Sequence, residues 1–140
     1  AFAGLTLVAM VMLLSTSDAQ VGQNKVKFEA DPPQRLDVRY RLFKTDNIWT
    51  HLLLDTRTGR VFQINHSIDE GSLRGSLPIS NKSLIEDEKT AKDGRFTLYP
   101  TSNIWNWILV DQEDGRCWQC QFATKPSGRL LIPIKQLSEE

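Results

Sequence analysis

The chain has 140 residues, the length of one domain. Its 17 basic and 17 acidic side chains cancel, so no global field draws it to nucleic acid or to an anionic membrane surface. With 40% hydrophobic residues and four tryptophans, the composition is that of a folded globule and not of a disordered segment.

The first stretch differs in kind from the rest. Residues 2–14, FAGLTLVAMVMLL, are apolar and uncharged. A spanning helix needs about 20 such residues, so the run is short for a membrane anchor and fits the h-region of a secretory signal. A polar stretch follows, and Ser17 and Ala19 place small residues at the −3 and −1 positions of a cut before Gln20. Residues 1–19 therefore read as a signal-peptide-like segment, with export to the periplasm or beyond after cleavage near Ala19. The mature chain is expected to have no stable membrane span. Residues 20–38 read as an N-terminal arm, with one alternating run over 26–30 (VKFEA) that suits an edge strand. Asp31-Pro-Pro-Gln then interrupts it, because proline donates no ladder hydrogen bond and restricts the residue before it.

From Arg39 onward the chain repeats itself. Residues 39–67, RYRLFKTDNIWTHLLLDTRTGRVFQINHS, align without a gap on 95–123, RFTLYPTSNIWNWILVDQEDGRCWQCQFA, at a constant offset of 56. Eleven of 29 positions are identical, among them Arg39/Arg95, Thr45/Thr101, Asn47/Asn103, Trp49/Trp105, Leu53/Leu109, Asp55/Asp111, Gly59/Gly115 and Gln63/Gln119. Within the first copy, 39–44 alternates as a strand, Thr45-Asp-Asn47 supplies turn chemistry, and 48–55 is a second strand. The second strand is apolar on both faces, which predicts cover on both sides. Thr56-Arg-Thr-Gly59 is a hairpin loop with glycine where positive φ is needed. Strands over 60–66 and 73–79 complete the unit. Residues 80–94 form a charged linker with room for a helical turn, and the second unit repeats the strands near 95–100, 104–111, 116–122 and 128–134.

The expected fold is all-β. Two four-stranded antiparallel meander repeats, 39–79 and 95–135, would bury their apolar faces against each other in one domain. That gives an eight-stranded barrel or a two-sheet sandwich with pseudo-two-fold symmetry, and the meander order favours the barrel.

Candidate chemistry is sparse. Cys117-Trp-Gln-Cys120 spells C-x-x-C, but strand residues three apart face opposite ways and lie about 10 Å apart, too far for a disulfide without a bulge. The repeat sets these cysteines against Val61 and Ile64, so both read as structural. His51 and His66 stand where the second copy has Trp107 and Phe122. They read first as packing positions, and as the histidine of a hydrolase only as a lesser alternative. The loops after Asp55 and Asp111 lack the alternating carboxylates of a calcium site. They resemble the aspartate-box hairpin of propeller blades in shape alone. No P-loop, dinucleotide or metalloprotease fingerprint is present. No cofactor and no metal site is predicted. Trp49, Trp105 and Trp107, with Gln63 and Gln119, are the candidate ligand-binding residues, since sugar rings stack on aromatic faces and amides read hydroxyls.

On its NIW…LLLDTRTGR and NIWNWILVDQEDGRCWQ units, the chain resembles uncharacterised small exported proteins of gut Bacteroidetes-type bacteria, which carry similar T-x-N-x-W/Y…L-D-x-x-x-G-R/K-x-W-Q repeats. The resemblance spans both repeats and implies an exported β-protein, with no activity or site residue attached. The function expected is non-enzymatic binding of a glycan or of an envelope protein partner. The alternative is a structural component that self-associates through its sheet edges.

Overall fold

The computed structural model describes residues 35–138. The leader-like segment, most of the arm and its candidate strand over 26–30 lie outside them. Eight strands follow in order: β1 Tyr40–Lys44, β2 Thr50–Asp55, β3 Val61–Asn65, β4 Gly75–Ser80, β5 Phe96–Pro100, β6 Asn106–Asp111, β7 Cys117–Gln121 and β8 Leu130–Ile134. They form two antiparallel meanders, β1-β2-β3-β4 (sheet 1) and β5-β6-β7-β8 (sheet 2). No ladder joins the two sheets, so the expected barrel does not close and the arrangement is a two-layer one. Among the described residues, no helix is long and apolar enough to cross a membrane.

Most of the repeated identities are the devices that shape each meander. The Thr45 hydroxyl donates to the Thr50 carbonyl at 2.7 Å, and Thr101 does the same to Asn106 at 2.8 Å. Asn47 Oδ1 accepts the Trp49 N–H at 2.9 Å, and Asn103 Oδ1 accepts that of Trp105 at 3.0 Å. These bonds fix the first turn, as short polar side chains do when they capture backbone groups. At the second turn Asp55 and Asp111 each accept the N–H two residues on, at 3.1 and 3.0 Å. Gly59 and Gly115 both take φ 77°, a backbone shape that glycine alone adopts without strain.

The two sheets bury opposite faces of this shared pattern. Cross-strand register puts Phe43, Leu52, Leu54, Val61 and Gln63 on one face of sheet 1, here called the front. Tyr40, Leu42, His51, Leu53, Phe62 and Ile64 lie on its back. In sheet 2 the equivalent front carries Tyr99, Ile108, Val110, Cys117 and Gln119, and the back carries Phe96, Leu98, Trp107, Leu109, Trp118 and Cys120. The core joins Leu52, Leu54, Val61 and Ile79 from the front of sheet 1 to all six of those residues from the back of sheet 2. Phe43 meets Trp107 edge-on, ring centroids 6.1 Å apart. A pseudo-two-fold axis would bury the same face of both repeats; the register shows front against back instead. On strand β2 the front residues Leu52 and Leu54 are buried, whereas His51 and Leu53 on the back are half-exposed.

The linker is more than a charged tether. It forms no helix, and Leu84 and Ile85 pack against the core. The Leu84 N–H reaches the Thr58 carbonyl at 2.8 Å. Arg57 pairs with Asp93 and Arg60 with Glu88, fastening the second half of the linker to the first hairpin. Thr56 completes the joint between sheets: its carbonyl accepts the Phe96 N–H at 2.8 Å and its hydroxyl oxygen the Gly94 N–H at 2.9 Å.

Candidate functional site

At one end of the seam between the sheets, where both Thr-Asn turns lie, opens a cleft of about 310 Å3. Trp49 and Trp105 both line it, 40% and 39% exposed. Their equal placement follows from the turn bonds above, which present each indole immediately after its Asx turn. Trp105 stacks at a tilt on Phe122, centroids 5.3 Å apart, and Trp49 meets His66 edge-on at 5.8 Å. The pairs are equivalent by repeat, and in each the second residue donates its N–H to the tryptophan carbonyl.

Gln63 also lines the cleft but is buried in its wall. Its Oε1 accepts the Ala123 N–H of the other repeat at 3.2 Å, and its Nε2 donates to Asn65 Oδ1 at 3.0 Å. Gln63 is thus a tie between the sheets, and it orients Asn65. With the Asn65 oxygen taken by Gln63 and, at 3.4 Å, by Thr50, its NH2 is the end that can address a ligand.

Two of the expected residues fall elsewhere. Trp107 is 6% exposed and packs in the core against Phe43, because the back of β6 is the buried face of sheet 2. Gln119 lies on the front of sheet 2 and donates to Asn106 Oδ1 at 2.8 Å, away from the cleft. The residues that sequence reasoning missed come from the β3–β4 connection: Ser67, Asp69, Ser72 and Leu73. Their signal was weak, since the duplication ends at Ser67 and nothing beyond it marked this loop.

Equivalence to Trp107 and Phe122 predicts packing positions for His51 and His66. The structure reverses this. The back face that is buried in sheet 2 is open in sheet 1, so His66 is exposed and its ring sits 5.2 Å from that of His51. Cys117 and Cys120 are free thiols on opposite faces. Burial pushes the Cys120 thiol up to about 12, which makes it inert at neutral pH. The cleft offers two half-exposed indoles, amides and hydroxyls, with the imidazole of His66 and the carboxylate of Asp69 beside them. Such a lining suits an uncharged, hydroxyl-rich ligand.

No family model matches the chain, and comparison with curated proteins and with solved structures also gives no match.

Proposed function

We propose that this is an exported binding protein, without catalytic activity, that holds a segment of a glycan in the cleft between its two repeats. The observation that carries the reading is the convergence of Trp49 and Trp105 on one cleft. Each is set by the same Thr-Asn turn, and each leaves roughly two-fifths of its surface open. An indole that served only the core would be covered, as Trp107 and Trp118 are. Stacking a sugar ring on such a face and reading its hydroxyls with Asn65 and Ser72 uses the geometry available. Export rests on the apolar run over 2–14 and the small residues before Gln20.

The edge-pairing alternative is disfavoured by proline. Pro78, Pro100 and Pro133 stand in three of the four edge strands, β4, β5 and β8, where each removes a donor that an incoming strand would need.

Tryptophan fluorescence tests the glycan reading. Iodide should quench the emission of Trp49 and Trp105 and spare that of Trp107 and Trp118. In a titration with a panel of bacterial and host polysaccharides, one glycan should protect the quenchable fraction, and Trp49→Ala or Trp105→Ala should weaken its binding at least tenfold. If no polysaccharide alters the quenching and the two variants bind the panel as the parent does, the cleft is not a glycan site.

A further inference from the structure

Four connections meet at the cleft: 45–49, 66–74, 101–105 and 122–129. They differ from the hairpin tips at the far end in what they hold out to solvent. The far tips, 56–60 (TRTGR) and 112–116 (QEDGR), are polar and charged. At the cleft end the Thr50 N–H closes a turn on the Asn47 carbonyl at 3.1 Å, and the Asn106 N–H closes one on the Asn103 carbonyl at 3.0 Å. The central residues of these turns are Ile48-Trp49 and Ile104-Trp105. Glycine and short polar residues ordinarily fill such places, and the turn bonds described above ask only for the Thr and the Asn. Both copies nevertheless carry isoleucine at the apex, 74% exposed at Ile48 and 48% at Ile104. Ile68, on the β3–β4 connection, is 81% exposed.

Each of these isoleucines adjoins a residue of the cleft wall. Ile48 lies between Asn47 and Trp49, Ile68 between Ser67 and Asp69, and Ile104 just before Trp105. The cleft is thus aromatic and polar within and apolar around its mouth. A free polysaccharide is poorly served by such a rim, because its flanking sugars would give up water over isoleucine without gaining a polar partner. An exposed apolar cluster beside polar groups marks contact with a protein or a membrane. Separate loop apices, unlike a flat face, can each enter a soft surface. At both turns the isoleucine is more exposed than the tryptophan after it. That order suits a bilayer, where isoleucine favours the hydrocarbon and tryptophan the interface. Charge narrows the choice of lipid. Across the four connections Asp46, Asp69 and Glu70 stand against Arg74, Lys125 and Arg129, with Lys44 next to the first connection. This end is nearly neutral, and it lacks the polybasic cluster that seeks anionic lipid.

We propose that the glycan held by the cleft is the headgroup of an uncharged lipid, read at a bilayer surface into which Ile48, Ile68 and Ile104 insert. The inference rests on the glycan reading above and adds the source of the ligand. Insertion of the three apices brings Trp49 and Trp105 to the level of the headgroups, where the cleft opens. Neither contact has to be strong alone, since tips held in the bilayer raise the effective concentration of headgroups at the cleft.

Equilibrium binding of the full chain tests this. The glycan found by the fluorescence titration is supplied in two forms, free and coupled at its reducing end to an uncharged dialkyl lipid in phosphatidylcholine vesicles. The parent should bind the vesicle-borne form at least about tenfold more tightly than the free form, with a blue shift of its tryptophan emission. A triple variant, Ile48→Ser with Ile68→Ser and Ile104→Ser, should bind the free glycan as the parent does, which shows that it is folded, and should lose the gain on vesicles. Equal affinity of the parent for the two forms overturns the inference and leaves the glycan reading standing. A gain that the triple variant keeps does the same, because it comes from another part of the chain, such as the apolar run over 2–14. A parent that dimerises where the triple variant does not, with no gain on vesicles, assigns the isoleucines to a second copy and also overturns it. If phosphatidylcholine vesicles without glycan bind as tightly as those that carry it, the tips dock on lipid without reading a sugar, and the glycan reading falls as well. A panel in which no glycan protects the tryptophans ends both.

Discussion

Leu53 and Leu109 are the same residue at the same position of the same repeat, and the fold treats them differently. Leu109 is fully buried; Leu53 is half-exposed. The turn bonds, the ion pair and the glycine that surround them are shared, so the local sequence does not decide which face is covered. Position in the stack does. A repeat whose two faces are both apolar can use either, and sheet 1 uses its front while sheet 2 uses its back.

The sharpest way to break this comparison is to truncate the pair. Leu109→Ala should cost about 2–5 kcal/mol, the range for a leucine removed from a closed core. Leu53→Ala should cost about 1 kcal/mol or less in the single chain, since its methyl groups already meet solvent. Urea unfolding of both variants at low protein concentration checks it. Equal losses would mean that the two faces are equally covered and that the front-to-back arrangement is wrong.

The glycines give the next largest contrast. An alanine at either Gly59 or Gly115 must hold φ near 77°, a strain of about 1–2 kcal/mol. At Gly115 the added methyl meets open space, whereas at Gly59 it would come within 2.7 Å of Leu84 Cδ1 and 3.2 Å of Phe96 Cε1. Gly59→Ala should therefore lower the melting temperature clearly more than Gly115→Ala. The gap should shrink when Leu84 is also truncated to alanine, because the linker side chain is the nearer obstacle.

Much of this was legible in the sequence and some was not, for definable reasons. The strands and turns could be read because each is specified within a few residues: Thr45 and Asn47 carry their own hydrogen bonds, and Gly59 marks its own φ. The duplication made every such device visible twice. Sheet closure could not be read, because a meander with two apolar faces is compatible with a barrel, a two-fold sandwich and a front-to-back stack alike. The same ambiguity misplaced Trp107 and the histidines. Trp107 was grouped with Trp105 by alternation, correctly as to face, but that face turns into the core one residue pair further along β6. His51 and His66 were judged by their equivalents, which was sound only if equivalent faces are equally buried. Trp49, Trp105 and Gln63, which the repeat marks, line the cleft, whereas Asp69 and Ser72 line it from beyond the repeat and carry no mark in the sequence.

The ion pairs offer a smaller contrast. Asp111 accepts the guanidinium of Arg95 at 2.8 and 3.0 Å and that of Arg116 at 3.2 Å, whereas among the described residues Asp55 accepts one guanidinium, that of Arg39, at 3.2 and 3.4 Å. Burial works to raise the Asp111 carboxyl, but the bonds from Arg95 and from the Glu113 N–H, with the charges of Arg95 and Arg116, outweigh it and hold it below its ordinary 3.8. A carboxylate depressed by folding stabilises above its unfolded value and loses that contribution as pH falls through the folded one. Asp111→Asn should thus cost about 2 kcal/mol at neutral pH, and the cost should fade below pH 3.8. A parallel measurement of Asp55→Asn should show a smaller loss.

The mildest probe uses the two thiols, which sit on the two faces of β7 and so report on both sides of sheet 2 at once. Cys120 is sealed in the seam, and its raised value keeps it protonated at neutral pH. A disulfide reagent should leave it untouched until the chain unfolds. Stability should also decline as pH rises from about 9 towards about 12, because a thiol held protonated by folding loses its proton first in the unfolded chain. Cys117, on the open front and half-buried, donates weakly to the Gly115 carbonyl at 3.5 Å and should react in the native protein. Its equivalent in sheet 1, Val61, is fully covered. The two thiols should therefore differ strongly in their rates of modification in the native protein. Comparable rates for the two thiols would mean that β7 does not divide a covered face of sheet 2 from an open one.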